Sequence, residues 1–420
     1  MADNISSPPV KRRRSVLLEG VPSTENERSV SFDAPMFVII MILLVFGLIM
    51  MFSAGYAWAI DEGVEGNYYI KKQLVMGGVG VVGMIIISFI DYHWYMRRLF
   101  VDALYIMALG LMICCFVPGI MSPHNDSRRW IKFAGIEFQP SEVGKFAIII
   151  ILSYWISVHY KQMGDFLTGI AVPGLLLGIY AAVLMKQPHF SATFIMIAIA
   201  ATLMFIGGTK LIHIGMAALV GVLGVAAFML YKVQSGQLSY IMKRVNSFLY
   251  PFNEEYAADT WQTRNSLIAI GSGGFVGMGL GNSRQKFLYL PESKNDFVFA
   301  IVCEELGFIG ALFVVALFVF FIIRGFTIAV RATDKAGMLV ACGITMHIGI
   351  QALLNIAVVS NAIPNTGVSL PFFSYGGTAL IMQLCEMGVL LNISRHVVQV
   401  RPDRRRRENM QNAAETVSGP

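Results

Sequence analysis

The sequence predicts an all-α polytopic membrane protein: ten transmembrane helices, with a large extracellular loop between helices 7 and 8. Three observations predict it. Hydrophobic residues make up 56% of the 420-residue chain and charged residues only 14%, where soluble domains carry about a quarter. The mean hydropathy is +0.64. Apolar stretches near the ~20 residues that a helix needs to cross a bilayer recur at 36–53, 73–90, 99–117, 140–158, 167–185, 190–207, 210–231, 297–323, 337–359 and 372–393. Several of them are rich in glycine, which membrane helices tolerate because close packing replaces the missing hydrophobic drive.

An even number of crossings leaves both ends on one side. Lys11, Arg12, Arg13 and Arg14 precede the first helix, and Arg401 and Arg404 to Arg407 follow the last. Cationic flanks stay cytoplasmic, so both termini are expected in the cytosol, with residues 1–35 a disordered basic tail and 396–420 a second one. The first apolar run is too long and too far from the basic cluster for a signal peptide, although Ser53-Ala54-Gly55 weakly mimics a cleavage site. The basic tails account for topology and attraction to anionic lipid; no nucleic-acid motif accompanies them, so no nucleic-acid partner is expected. Cys114, Cys115, Cys303, Cys342 and Cys385 fall inside apolar spans without metal-ligand spacing, which reads as buried thiols rather than disulfides or zinc.

Two exterior loops break the charge rule. Between helices 3 and 4, Arg128, Arg129 and Lys132 flank Trp130 in SRRWIKFAG. Paired guanidinium forks match phosphate oxygens, and an ordinary anionic-lipid contact is the equal alternative. Helix 4 follows with QPSEVGKF, where Glu142 and Lys145 stand three apart and meet on one face. His189, in KQPHFSAT at an outer helix end, reads as a satisfied interfacial histidine.

The loop from about 232 to 295 carries Lys232, Lys243, Arg244, Arg264, Arg284, Lys286 and Lys294 and is too long for a mere connector. Trp261 to Ile270 has apolar side chains at helical spacing and is expected in the interface. Glycines then crowd at 271, 273, 274, 277, 279 and 281, allowing backbone N–H groups to approach an anion or simply making a turn. The run is no nucleotide P-loop, since the Lys-Ser/Thr ending is missing and no strand precedes it.

Asp296 opens helix 8. A helix N-terminus favours the carboxylate and burial favours the acid; an N-cap and a general base are equally good uses of it. Glu304 lies eight residues further, about 12 Å deeper at 1.5 Å per residue, with Glu305 beside it. Acids at that depth are functional candidates by default, and Lys145 is their expected partner.

Four blocks now point one way: RRWIKFAGIEFQPSEVGK from Arg128, QTRNSLIAIGSGGFVGMGLGNSRQKFLYLPE from Gln262, DFVFAIVCEELG from Asp296, and PNTGVSLPFFSYGG from Pro364. In this order and combination the chain resembles the SEDS family of cell-wall proteins (FtsW, RodA and SpoVE types) from about residue 36 to 395, and NSRQKFLYLPE is closer to the FtsW/SpoVE branch. The resemblance implies a peptidoglycan glycosyltransferase that uses lipid II and polyprenyl-diphosphate-linked glycan at the outer face of the bacterial cytoplasmic membrane. It implies work beside a class B penicillin-binding protein and other divisome membrane proteins, at the division septum or in sporulation. It carries the essential acid to Asp296 and the helix-4 pair to Glu142 and Lys145. The substrate-binding candidates around them are Arg128, Arg129, Trp130, Gln139, Ser141, Arg244, Gln262, Lys286, Glu304, Glu305, Ser374, Gly376 and Gly377.

The chain departs from the family pattern where His189 replaces a common Asp, Asn361 and Asn365 replace Gly and Thr, and Thr378-Ala379 replaces a Ser pair. The SYGG block, Ser374 to Gly377, reads as packing at the start of helix 10, with a phosphate-facing backbone as the other use. In the chemistry implied, Asp296 takes the proton of an acceptor sugar hydroxyl and cations stabilise the departing diphosphate. No motif demands a cofactor; a divalent cation, Mg2+ or Mn2+, bridging phosphate oxygens is the one the chemistry admits. The competing classes are a lipid II flippase, for which no convincing inverted repeat is present, and a non-catalytic scaffold that recruits the transpeptidase.

Overall fold

Pro35 in the first turn and Asp33 as N-cap, whose side chain accepts from Met36 N at 2.9 Å, start α1, Ala34–Asp61. The computed structural model describes residues 32–118, 121–124, 127–133, 136–234 and 245–396; residues 1–31 and 397–420 of the two basic tails, and Arg244, lie outside them. Helices α2 (Tyr68–Phe89), α3 (Tyr92–Tyr95) and α4 (Arg98–Cys114) follow, then a small sheet, then α5 (Pro140–Val158). Next come α6 (Val172–Lys186), α7 (Phe190–Ile206), α8 (Leu211–Gln234), α9 (Ala257–Gly273), α10 (Val298–Arg331), α11 (Lys335–Val359) and α12 (Gly377–Arg395).

Seven helical segments among the described residues are long and apolar enough to cross a membrane: α1, α2, α5, Leu167–Lys186, α10, α11 and α12. Two more apolar stretches, Phe190–Ile206 and Leu211–Gly221, are shorter. Helices α5, α11 and α12 are mostly buried inside the bundle, whereas α2 and α10 turn Val75, Val79, Val82, Ile86, Phe320 and Ile323 outward. Helices apolar on all sides are expected where the surroundings are lipid rather than water. Close helix contact uses small residues: α2 packs along α12, where a Cβ on Gly388 would lie 2.6 Å from the Met84 carbonyl oxygen.

The sheet corrects an all-helical expectation. Strands β1 (Met121–His124), β2 (Ser127–Phe133) and β3 (Ile136–Phe138) form an antiparallel meander in the order β1-β2-β3. Ile131 pairs with Phe138 and Lys132 with Glu137, and at seven residues β2 is far too short for a membrane span.

Helix α10 is broken. Gly307 has φ 65° and ψ −164°, which interrupts the helix just after Glu304 and Glu305. The segment that follows α9 fills the break. Met278 N and Gly279 N donate to the Glu304 and Glu305 carbonyls at 3.0 and 2.9 Å, and Phe308 N donates to Gly274 O at 2.8 Å. Orphaned backbone groups in an apolar bundle must find such partners. Gly277, at φ 84°, is needed there, because a Cβ would sit 2.2 Å from Glu305 O. The glycine run therefore serves the chain's own helix break, and its N–H groups at 278 and 279 are already engaged.

Candidate active site

Loops and helix starts at one end of the bundle enclose a cavity of about 890 Å3. Its walls include Arg129 and Trp130 from β2, Gln139, Glu142 and Lys145 from the start of α5, His189 before α7, and Gln262 from α9. Asp296, Gln351, Ser374, Gly376 and Gly377 also line it.

Asp296 lies two residues before α10, whose N-cap is Phe297 with no side-chain cap bond. The capping use is therefore absent. The backbone around Asp296 is held at three successive carbonyls. Tyr375 N donates to Lys294 O at 2.8 Å, Ser374 Oγ to Asn295 O at 2.6 Å, and Asn355 Nδ2 to Asp296 O at 2.7 Å. Ser374 Oγ also accepts from Leu370 N at 2.7 Å, which fixes its hydroxyl. The SYGG block thus clamps the segment that carries Asp296. A second tether runs from Lys294 to Glu62 at 3.0 Å and to the Tyr69 hydroxyl at 2.6 Å, with Trp58 donating to Ser293 at 2.8 Å. The Asp296 carboxylate itself receives no hydrogen bond among the described residues and faces the cavity. Burial and the Glu292 charge push it up to about 7, with Arg129 pulling the other way.

The ion pair expected from the three-residue spacing is present: Lys145 Nζ lies 2.9 Å from Glu142 Oε1, with the two side chains 2% and 7% exposed. Burying two charges is costly unless further bonds satisfy them. Gln351 Oε1 accepts from Lys145 Nζ at 2.8 Å. Gln351 Nε2 donates to Ser369 O at 3.1 Å, which fixes the amide's orientation, and His347 Nε2 meets the same Oε1 at 3.1 Å. Glu386 braces His347 from the other side at 2.7 Å. A buried polar chain therefore runs from the cavity wall into the bundle.

Other candidates sit as follows. Gln262 accepts from Asn365 Nδ2 at 2.9 Å and donates to Pro291 O at 3.3 Å. Arg129 donates to Pro188 O at 2.5 Å. Gly376 N donates to Gln73 Oε1 at 3.4 Å. Arg128 occupies a position in β2, and Ser141 is buried in the first turn of α5 outside the cavity lining. His189 differs from its expectation. It is buried against the cavity, yet neither ring nitrogen has a hydrogen-bond partner among the described residues. It is not a satisfied interfacial histidine.

Glu304, Glu305 and Lys286 fall outside the cavity, and Lys145 is not their partner. Lys286 Nζ lies 2.9 Å from Glu305 Oε1, which also accepts from Ser53 Oγ at 2.6 Å. Glu304 accepts from Arg284 N at 3.0 Å and Gln285 N at 3.3 Å, and from the Ser283 hydroxyl at 2.5 Å. The cause is the break at Gly307. It ends the first half of α10 near both acids, so segment 283–286 folds onto them. A backbone anion site does exist here, and the anion is the chain's own glutamate.

Sequence reasoning missed Gln351, Asn355 and His347. Their signal was available: polar residues at 347, 351 and 355 recur every four residues in an otherwise apolar helix, hence on one face.

Residues 34–399 match the family described as "Cell cycle protein", FtsW/RodA/SpoVE. The chain belongs to this family. Among its relatives, a "Probable peptidoglycan glycosyltransferase FtsW" of Geobacter sp. (strain M18) is 35% identical over 86% of this chain and 96% of its own. "Stage V sporulation protein E" of Bacillus subtilis is 38% identical over 88% and 98%. Among solved structures, a peptidoglycan synthase complex chain aligns with TM-score 0.69 at 22% identity, covering 87% of this chain and 98% of that one. Thermus thermophilus RodA aligns with TM-score 0.63 at 21% identity, covering 88% and 99%. At those identities the structural likeness establishes the fold of this FtsW/RodA/SpoVE member, and the sequence matches establish its family.

Proposed function

We infer that this FtsW/RodA/SpoVE member is a peptidoglycan glycosyltransferase that polymerises lipid II, with Asp296 as its general base. The observation that carries the base assignment is a cavity-facing carboxylate held at its backbone, free of hydrogen-bond donors among the described residues, with its pKa pushed up to about 7. An acid with that pKa takes a proton efficiently at neutral pH. The acceptor sugar hydroxyl attacks the anomeric carbon of the donor; a C–O bond forms, Asp296 takes the proton, and the bond to the diphosphate breaks. The displacement inverts the anomeric centre and needs no carboxylate nucleophile.

Negative charge develops on the departing diphosphate, so fixed cations lower the barrier. Lys145 and Arg129 line the cavity that holds Asp296 and are assigned this work. Glu142 holds Lys145 in place through the 2.9 Å ion pair. The described residues contain no group of three metal-type side chains, so a divalent ion would take most of its ligands from the diphosphate, whose charge it would neutralise. The tail of the substrate stays in lipid, which is why the enzyme is a membrane protein. The membrane reading is ten crossings with both termini cytoplasmic and the cavity on the outer face; α4, α7 and α8 supply the crossings beyond the seven long helices. The partner is a class B penicillin-binding protein, and the branch points to septal division or sporulation. Glu304 and Glu305, the acids that best suited a lipid transporter, are engaged in holding the chain together, so no observation favours that reading.

The test is gel analysis of glycan chains made from labelled lipid II by the purified protein with its cognate partner. Polymer from the wild type and none from Asp296→Asn supports the assignment. Polymer from both overturns Asp296 as base, and no polymer beside lipid II translocation in sealed vesicles overturns the enzyme reading.

A further inference from the structure

His347 and Glu386 stand at the middle of α11 and α12, helices of 25 and 19 residues, and each side chain is 1% exposed. Ionisable side chains halfway along membrane helices are costly and mark function, and the mechanism above gives this pair no task. Gln351 joins the pair to the cavity. Its amide orientation is fixed at both ends by groups with a single role. Lys145 Nζ only donates, so Oε1 faces it at 2.8 Å; the Ser369 carbonyl only accepts, so Nε2 faces it at 3.1 Å.

That orientation dictates where the protons sit. Gln351 Oε1 lies 3.1 Å from His347 Nε2, and two acceptors do not bond, so Nε2 carries a hydrogen. Across the ring, Nδ1 lies 2.7 Å from Glu386 Oε2. This contact needs a hydrogen too, on the imidazole or on the carboxyl. Together the two contacts require one proton more than a neutral imidazole beside a carboxylate carries. The pair is therefore net neutral, as imidazolium with carboxylate or as imidazole with carboxylic acid. In both forms Nε2–H points at Gln351. Without that proton the pair would hold a net negative charge inside an apolar bundle, with Glu386 Oε1 lacking any partner among the described residues.

Lys145 receives the effect. Its ammonium has three N–H groups: one meets Glu142 Oε1 at 2.9 Å and one meets Gln351 Oε1 at 2.8 Å. A tetrahedral nitrogen with two directions set has its third set as well, and Lys145 lines the cavity. Were the His347 N–H absent, the Gln351 carbonyl would be held by Lys145 alone, and the two would shift together. We propose that His347 and Glu386 are a positioning pair for Lys145: the proton they share keeps His347 Nε2 a donor to Gln351, whose anchored carbonyl aims the remaining Lys145 N–H at the substrate. This rests on reading the cavity as the glycosyltransferase site, in which Lys145 meets the departing diphosphate.

The experiment measures kcat and KM for lipid II polymerisation by the full-length protein with its cognate partner. His347→Leu combined with Glu386→Leu removes the pair and its proton together. Apolar replacement of a whole buried pair is often neutral or stabilising, and thermal melts check the fold. The expected result is a kcat lower by about tenfold at nearly unchanged KM, because Lys145 acts on charge that develops only in the transition state. Glu386→Gln alone should retain the wild-type kcat, since its amide N–H supplies the hydrogen at Nδ1 and leaves Nε2 a donor. In a Gln351→Leu background the double replacement should lower kcat no further, because its route to Lys145 runs through that amide. A folded double-Leu protein with wild-type kcat overturns the inference. So does a Glu386→Gln kcat as low as that of the double variant, or losses that multiply in the Gln351→Leu background. Should the double-Leu protein not fold, His347→Met with Glu386→Gln, compared with Glu386→Gln alone, isolates the same imidazole N–H. Polymer from the wild type with no such kcat differences refutes the positioning pair alone; no polymer from the wild type refutes the reading on which it rests.

Discussion

Replacing Asp296 with Asn should make the protein more stable and inactive at the same time. The carboxyl rises from its usual 3.8 to about 7 because burial and Glu292 oppose its charge. A carboxyl with a raised folded-state pKa binds its proton more tightly when folded. Stability is therefore intact below about pH 4, declines as pH rises toward 7, and stays reduced above it. Roughly three pH units at 1.36 kcal/mol each set a ceiling of about 4 kcal/mol. Water entering the open cavity screens the half-buried group, so about 2 kcal/mol is the working figure. Asn keeps the shape and loses the charge. Thermal melts of wild type and Asp296→Asn in matched detergent should coincide near pH 4 and separate progressively up to pH about 7, the variant melting higher. Over the same range, wild-type kcat/KM should fall about tenfold per pH unit below 7 and level off above it, while the variant loses roughly a hundredfold or more. A melting difference of the same size at every pH would refute the burial argument. Wild-type polymerisation by the variant would refute the base.

Three further perturbations address the supports of the site. Ser374→Ala removes the hydroxyl that holds Asn295 O at 2.6 Å and accepts from Leu370 N; kcat should drop about tenfold with KM nearly unchanged, and a pure rise in KM would count against the clamp. Glu305→Gln strands Lys286 inside the bundle and should cost about 3–5 kcal/mol, seen as a lower melting temperature with activity retained at low temperature; a selective loss of substrate affinity would return Glu305 to the substrate site. Gly277→Ala forces a Cβ to within 2.2 Å of Glu305 O at a φ of 84°, so at least about 2 kcal/mol of stability should be lost, and a melting curve like that of the wild type would mean the helix break is not held by this close approach.

How much of this was legible depended on the range over which each signal acts. The apolar windows marked the helices because hydropathy over ~20 residues is a local property. The Glu142–Lys145 pair was legible for the same reason, since one helical turn brings the two together. The three strands were not, because SRRWIKF is seven residues long, too short to register in hydropathy averaged over a membrane span. Glu304 and Glu305 misled the reading for a physical reason: depth was counted along an unbroken helix, whereas Gly307 breaks it and brings segment 283–286 alongside. The roles of Ser374 and Asn355 needed the fold itself, since they act on carbonyls 79 and 59 residues away.

The polar face of α11 is where sequence and structure meet most usefully. His347, Gln351 and Asn355 fall at successive four-residue steps, and each binds a different part of the site. His347 contacts the Gln351 amide, Gln351 accepts from Lys145, and Asn355 holds both Asp296 O and Val368 O. One helix therefore sets the distance between Asp296, the proposed base, and Lys145, the proposed cation. Burying three polar side chains in an apolar helix is unfavourable unless they find partners, and here each makes at least one hydrogen bond at the site. A polar spine of this kind would give the proposed catalytic pair fixed positions before substrate arrives, which is the arrangement that electrostatic stabilisation of a departing diphosphate requires.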